Sequence, residues 1–115
     1  MTPVTPNPAS VVSGTLDLLI LKTLSVGTLH GYGIALHIKR LSRDALRIEE
    51  GSLYPALQRM KVKGWITSEW KKSPTGRKAR YYKLTAAGRR QLGEETSAFN
   101  RSVAAISRVL RSAEP

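Results

Sequence analysis

The stretch "EEGSLYPALQRMKVKGWI", residues 49–66, decides the fold of this chain. At about 100° per residue, Leu53, Leu57 and Met60 fall within one narrow arc of a helix. A single apolar stripe of this kind predicts an amphipathic helix that turns one side to a core. The opposite side is mixed: Pro55, Gln58, Arg59 and Val62 lie outward, with Ser52 and Tyr54 on its flanks.

A proline inside this helix constrains where the helix begins. If Ser52 is the N-cap, Pro55 is the third helical position, where the amide has no intrahelical acceptor and its loss costs nothing. Gly64 suits the end of the helix as a C-cap. The sequence therefore predicts a helix from about residue 53 to residue 63.

A basic hairpin is predicted directly after this helix. The segments "WITSEWKKS" and "ARYYKLT" alternate in the manner of strands, and "KSPTGRK" between them has proline and glycine turn chemistry. Lys72, Arg77 and Lys78 lie in or beside this turn, so the tip is cationic. Trp65 and Trp70, at strand positions beside a helix, are expected in the core rather than stacked on bases.

Two helices are predicted before residue 49. Thr15 suits the cap of the first helix, "LDLLILKTL", which is apolar on nearly every side and needs cover on two faces. Ile34, Ile38 and Leu41 mark a second amphipathic helix that ends near "LSRDA", and "LRI" (residues 46–48) is predicted as a short strand. The order of helix, helix, short strand, helix and hairpin is that of a winged helix-turn-helix, a mainly α fold with a small β-hairpin wing.

A long last helix is predicted from a cap at Thr85 to about Arg111. Its spacing of 4, 3, 4, 3 and 4 residues is a heptad seam formed by Leu92, Thr96, Phe99, Val103, Ile106 and Leu110. A seam this long predicts a partner helix, and packing onto its own domain is the alternative. We therefore expect a disordered tail (1–13), a DNA-binding domain (14–85), a dimerisation helix (86–111) and a short tail (112–115).

The charge of the chain favours a polyanionic partner. The net charge is +11 over 115 residues, and residues 59–90 contain eleven Lys or Arg but one acid, Glu69. Such one-sidedness is typical of a nucleic-acid-binding surface, with a solvated face as the alternative. A membrane-surface role is disfavoured because arginines of the last helix are offset by glutamates. A nonspecific RNA or DNA binder is a further alternative, and it would be a monomer with aromatic rings exposed on its strands.

Composition excludes several classes of chemistry. The absence of cysteine removes disulfides and thiolate metal sites, and together with the lack of a signal peptide it predicts a cytoplasmic protein. Glu49 and Glu50 have no nucleophile or metal set beside them, so no enzyme and no cofactor are expected. His30 and His37 lack a third ligand, which favours a capping or surface role.

The order of elements and several motifs resemble the PadR family of bacterial transcriptional regulators, in its short branch with little beyond the dimerisation helix. The motifs are "LDLLILKTL", "HGYGIALHI", "EEGSLYPALQRMKVKGWI" and "ARYYKLTAAGRRQL", and the likeness extends from about Gly14 to Leu110. The resemblance implies a homodimeric winged-helix repressor that releases its operator when a signal is sensed. No residue matches an inducer motif.

These considerations define the expected partners and sites. The partners are a double-stranded DNA operator, a second copy of the chain, and a small hydrophobic or aromatic effector at a pocket framed by Phe99, for which a plain dimer core is the alternative. Gln58 and Arg59 are the expected base readers. The expected DNA-binding residues are Ser52, Tyr54, Pro55, Gln58, Arg59, Lys63, Arg77, Lys78 and Arg80, and the expected dimerisation residues are Leu18, Leu21, Leu92, Phe99, Val103, Ile106 and Leu110.

Overall fold

The computed structural model describes residues 15–115, so the predicted tail at residues 1–13 lies outside the described part of the chain. The elements follow the order α1 (Thr15–Val26), β1 (Leu29–His30), α2 (Gly31–Leu41), α3 (Glu50–Val62), β2 (Ile66–Lys72), β3 (Lys78–Leu84) and α4 (Ala86–Arg111). This is a winged helix-turn-helix followed by a long helix, which confirms the predicted fold class. Among the described residues, no helix is both long and apolar enough to cross a membrane.

The core lies where α1, α2 and α3 meet one face of the small sheet. Its buried members are Ile20, Leu21, Leu24, Ile34, Ile38, Leu53, Ala56, Leu57, Met60, Ile66, Tyr82 and Leu84. The predicted stripe of α3 is thus buried, with Ala56 added to it. Leu41, predicted on the apolar face of α2, is exposed at the end of that helix.

The sheet has three antiparallel strands in the order β1-β3-β2. The wing hairpin pairs Ile66 with Leu84 at its base and Lys72 with Lys78 near its tip. The prediction of a strand at residues 46–48 is wrong: the strand that pairs with β3 opposite β2 is β1, and residues 46–48 pair with no strand. Leu46 and Ile48 instead pack against the core from an extended connection.

Helix α3 begins three residues earlier than predicted. Its N-cap is Glu49, whose carbonyl accepts the first intrahelical bonds, so Ser52 lies inside the first turn and is not the cap. Pro55 is the sixth helical residue, and its missing N–H leaves the carbonyl of Gly51 without its usual intrahelical donor. Both residues are exposed, so water can reach that carbonyl at little cost.

The end of α3 is joined to the start of α4. Gly64 follows the C-cap Lys63 in a left-handed conformation (φ +78°), and the N–H of Trp65 donates to the Met60 carbonyl at 3.0 Å in a Schellman motif. The carbonyl of Trp65 then accepts the N–H of Thr85 at 3.0 Å. Thr85 caps α4 as predicted, since its Oγ1 accepts the N–H of Gly88 at 3.0 Å.

Candidate nucleic-acid interface

The outward side of α3 is open to solvent. Pro55, Gln58 and Val62 point away from the core and are exposed, as the helical spacing predicts. A helix with one buried side and one exposed side can enter the major groove of DNA, where base edges differ in their donor and acceptor patterns. Of these exposed side chains, Gln58 carries an amide that can both donate and accept.

Tyr54 connects α3 to the start of α2. A Cβ added at Gly31 would lie 2.9 Å from both Cε1 and the hydroxyl oxygen of Tyr54, so the glycine permits this close approach. His30 caps α2 through its Nδ1, which accepts the N–H of Gly33 at 2.8 Å, and this confirms its predicted capping role. The Tyr54 ring therefore lies against the start of α2, where it lines a groove.

This groove, here called the wing groove, lies between the start of α2, one flank of α3 and the hairpin. Its volume is about 670 Å³, and the side chains important here are Tyr32, Tyr54, Trp70, Arg77, Lys78 and Arg80. These side chains combine three aromatic rings with three cations. The structure thus brings four of the predicted DNA-binding residues together and adds Tyr32 and Trp70, which the sequence reasoning did not assign to this surface.

The wing tip is built by a turn at residues 73–77. The N–H of Ser73 donates to the Arg77 carbonyl at 2.7 Å, and Gly76 adopts a left-handed conformation (φ +84°) that favours glycine. Arg77 and Lys78 are exposed and form no ion pair with any of the described residues. The tip therefore presents two free cations, as predicted.

Arg80 is more constrained than the tip residues. Its Nε donates to Ser68 Oγ at 3.0 Å, and its guanidinium carbon lies 5.5 Å from the ring centroid of Trp70. Trp70 is 63% exposed, so the prediction that it lies in the core is wrong, whereas Trp65 is half-buried and packs against the core. A cation stacked on an exposed indole forms a flat surface on β2 and β3.

Two further basic residues of α3 are turned away from its outward side. Arg59 Nη2 donates to Asp17 Oδ1 of α1 at 2.9 Å. Lys63 Nζ lies 4.6 Å from the centroid of the Trp65 ring. The geometry thus opposes the expectation that Arg59 is free to read a base.

A carboxyl on α4 lies near this corner of the fold. Glu95 is half-buried, and its Oε2 has no hydrogen-bond partner among the described residues. Burial raises the pKa of Glu95 above its ordinary value, and the charge of Asp17 raises it further, while a hydrogen bond with Gln91 and the charge of Lys63 act in the opposite direction. The carboxyl is therefore in a poor environment for its charged form.

The predicted dimerisation residues divide into two groups. Leu21 is completely buried in the chain's own core, so it has no surface for a partner, and Leu92 also packs against that core. Leu18 is half-buried on α1. The rest of the heptad seam is uncovered in the single chain: Phe99, Val103, Ile106 and Leu110 are 42%, 43%, 58% and 79% exposed.

Comparisons with known proteins agree with this architecture. Residues 20–94 match the transcriptional regulator PadR-like family. A transcriptional regulator of Mycobacterium tuberculosis is 39% identical over 61 residues, which cover 53% of this chain and 56% of that protein.

Two solved structures extend the likeness to most of the chain. A transcriptional regulator from Clostridium thermocellum superposes with a TM-score of 0.78 at 26% identity, covering 86% of this chain and 96% of that one. A PadR-like transcriptional regulator from Bacillus cereus gives a TM-score of 0.73 at 28% identity, covering 86% and 94%. With the family match spanning more than half of the sequence, this chain belongs to the PadR-like family of transcriptional regulators.

Proposed function

We propose that this chain is a cytoplasmic, homodimeric repressor that binds a double-stranded DNA operator and leaves it when a signal is sensed. The observation that carries the proposal is the wing groove beside the open side of α3, which is lined by tyrosine, tryptophan and basic side chains. The basic excess of residues 59–90 supplies the long-range attraction that any DNA-binding surface needs.

Different residues take different tasks on the DNA. Gln58 reads a base in the major groove, because its amide is suited to a bidentate contact with adenine. The hydroxyls of Ser52 and Tyr54 donate hydrogen bonds to phosphates, and Pro55 contacts the wall of the major groove. Arg77 and Lys78 contact the backbone or the minor groove, and phosphate contacts of this kind position the protein without specifying sequence.

Arg80 and Lys63 contribute charge rather than contacts of their own in this arrangement. Arg80 is held by Ser68 and Trp70, and Lys63 lies over Trp65. Arg80 lines the wing groove and Lys63 directly follows α3, and a positive charge near DNA lowers the energy of a phosphate without direct contact.

The dimer uses the heptad seam of α4, together with Leu18 of α1. A small hydrophobic or aromatic effector at the dimer axis, near Phe99, would release the operator by altering how the two DNA-binding heads are held. Since Phe99 also suits a plain dimer core, the effector site is the secondary part of the proposal.

Footprinting on the DNA upstream of the protein's own gene tests the function. We expect protection of two half-sites related by a dyad, because a twofold dimer presents two copies of α3. On the protected duplex, Gln58→Ala should relax the preference at one base pair. Lys78→Ala should weaken all sequences alike and reduce the salt slope by about 0.9. A change of preferred sequence in Lys78→Ala would contradict this division.

A second candidate function is sequence-independent binding of nucleic acid, and one observation favours it. Trp70 exposes its ring on a strand, as expected of proteins that stack bases on aromatic side chains. Competition among the protected duplex, a scrambled duplex and a single strand separates the candidates. Equal affinity for the two duplexes, or tighter binding of the single strand, would favour the second.

A further inference from the structure

One ion pair on the basic surface joins α3 to α1. Arg59 Nη2 donates to Asp17 Oδ1 at 2.9 Å, across 42 residues of sequence. The Asp17 side chain is 17% exposed and that of Arg59 is 54% exposed, so a fixed and nearly buried carboxylate holds a cation at the surface. The segment of residues 59–90 contains one further ion pair, formed by Lys71 and Glu69. This pair lies on the wing, and both of its side chains are well exposed.

The pair determines which way Arg59 points. Gln58 lies on the outward side of α3, and the next residue is rotated by about 100°, toward α1. Asp17 lies in the first turn of α1, and its Oδ1 accepts the hydrogen bond from Arg59 Nη2. The guanidinium is therefore drawn to the flank of α3, away from the side that would face base edges.

Moving Arg59 onto DNA would leave Asp17 without its partner. A carboxylate with only 17% of its side chain exposed is partly desolvated, so losing its counter-charge is unfavourable, whereas a phosphate contact at the protein surface is made in competition with water and salt. Neighbouring charges strengthen the preference of Arg59 for Asp17. Glu95 places a second acid near Asp17, and Lys63, the other cation near these acids, lies over the Trp65 ring.

We propose that Asp17 withholds Arg59 from DNA and so limits sequence-independent binding, leaving recognition by α3 to the neutral Gln58. The inference rests on the proposed DNA-binding function. It makes Asp17 a positioning residue that acts on specificity through Arg59, and it predicts that Arg59 makes no phosphate contact in the natural protein.

Binding to a duplex of arbitrary sequence over a salt series tests this without knowledge of the operator. Asp17→Asn keeps the shape and removes the charge, so it frees Arg59 for one phosphate. We expect Asp17→Asn to bind more tightly than the natural protein and the slope of log affinity against log salt to steepen by about 0.9. The gain in affinity over the natural protein should therefore become about threefold smaller when the salt concentration rises fourfold. Arg59→Gln alone should leave the slope unchanged, and the double variant should return to the natural slope.

Glu94→Gln is the matched control for net charge. Glu94 is an exposed acid on α4 with no ion pair to the described residues, so its removal should not change the slope. Thermal melts establish that each variant is folded. If Asp17→Asn fails to fold, Arg59→Gln still decides the question, because the natural protein and this variant must then share one slope.

Three outcomes would overturn the inference. Weaker binding by Asp17→Asn, or a slope reduced by about 0.9 in Arg59→Gln, would mean that Asp17 instead orients Arg59 onto a phosphate. An unchanged slope in a folded Asp17→Asn would mean that the pair does not affect DNA binding. If the natural protein binds no duplex, the proposed function itself fails, a result distinct from all three.

Discussion

Substitution of Val103 by glutamate tests the dimer at the middle of the heptad seam. Phe99, Val103, Ile106 and Leu110 together leave roughly two side chains' worth of apolar surface exposed in each chain, with a burial gain of about 3 to 6 kcal/mol per chain. Two chains contribute twice this amount. The gain is of the same order as the roughly 4 to 15 kcal/mol lost in association, so the dimer can tolerate little additional cost.

The glutamate enters the interface twice. In a twofold dimer each chain contributes the same patch, so two carboxylates would be buried near one another in the seam. At a cost of at least about 2 kcal/mol each, the dissociation constant should rise by about three orders of magnitude. We expect Val103→Glu to be monomeric at micromolar concentration.

Sedimentation equilibrium over a dilution series measures this directly. Ala105→Glu is the control, because it adds the same charge two residues away on a part of α4 that lies outside the seam. This variant should remain a dimer. If Val103→Glu sediments as the natural dimer does, or if the natural chain is itself a monomer, the assignment of the seam is wrong.

Three further predictions concern packing, pH and the effector. A Cβ at Gly88 would collide with the carbonyl of Trp65 and the side chain of Leu84, so Gly88→Ala should lower the free energy of unfolding by about 1 to 3 kcal/mol, as measured by thermal melts. Gly93 has open space around it, so Gly93→Ala should be neutral or slightly stabilising. The pKa of Glu95 is raised in the folded state, so the native state binds more protons than the unfolded state and loses stability as pH rises through that pKa. Glu95→Gln should therefore have a higher melting temperature than the natural protein at pH 7. This difference should vanish well below the ordinary pKa of 4.5. Titration with planar hydrophobic compounds should change both tryptophan fluorescence and DNA affinity if an effector acts at the dimer axis, and no change in either would point to another trigger.

Local patterns predicted the elements whose causes are local. The stripe of Leu53, Leu57 and Met60, the alternating wing strands and the cap at Thr85 all follow from spacing or from a side chain that reaches its own backbone. Gly64 ends α3 in a left-handed conformation, one residue beyond the C-cap. Each feature can be recognised within about one or two helical turns of sequence.

The predictions failed where the position of a residue depends on elements that are distant in the sequence. Trp70 shares a strand face with the buried Ile66, but the hairpin extends past the core, so the ring lies beside Arg80 and not against core side chains. Pro55 suggested a late start for α3, yet the backbone of Glu49 starts the helix earlier, and an exposed proline is tolerated inside it. The sequence reasoning also missed the ion pair of Arg59, because its partner Asp17 lies on α1 and no local pattern points to it.

The carbonyl of Trp65 links the segment after α3 to the start of α4. It accepts the N–H of Thr85 at 3.0 Å, the Thr85 hydroxyl lies 2.9 Å away, and Gly88 lets α4 come close to it. These contacts would couple the orientation of α4 to that of α3. In a dimer crossed at α4, a small change of crossing angle would be converted into a change of distance between the two α3 helices, and DNA of fixed helical repeat would accept only one such distance.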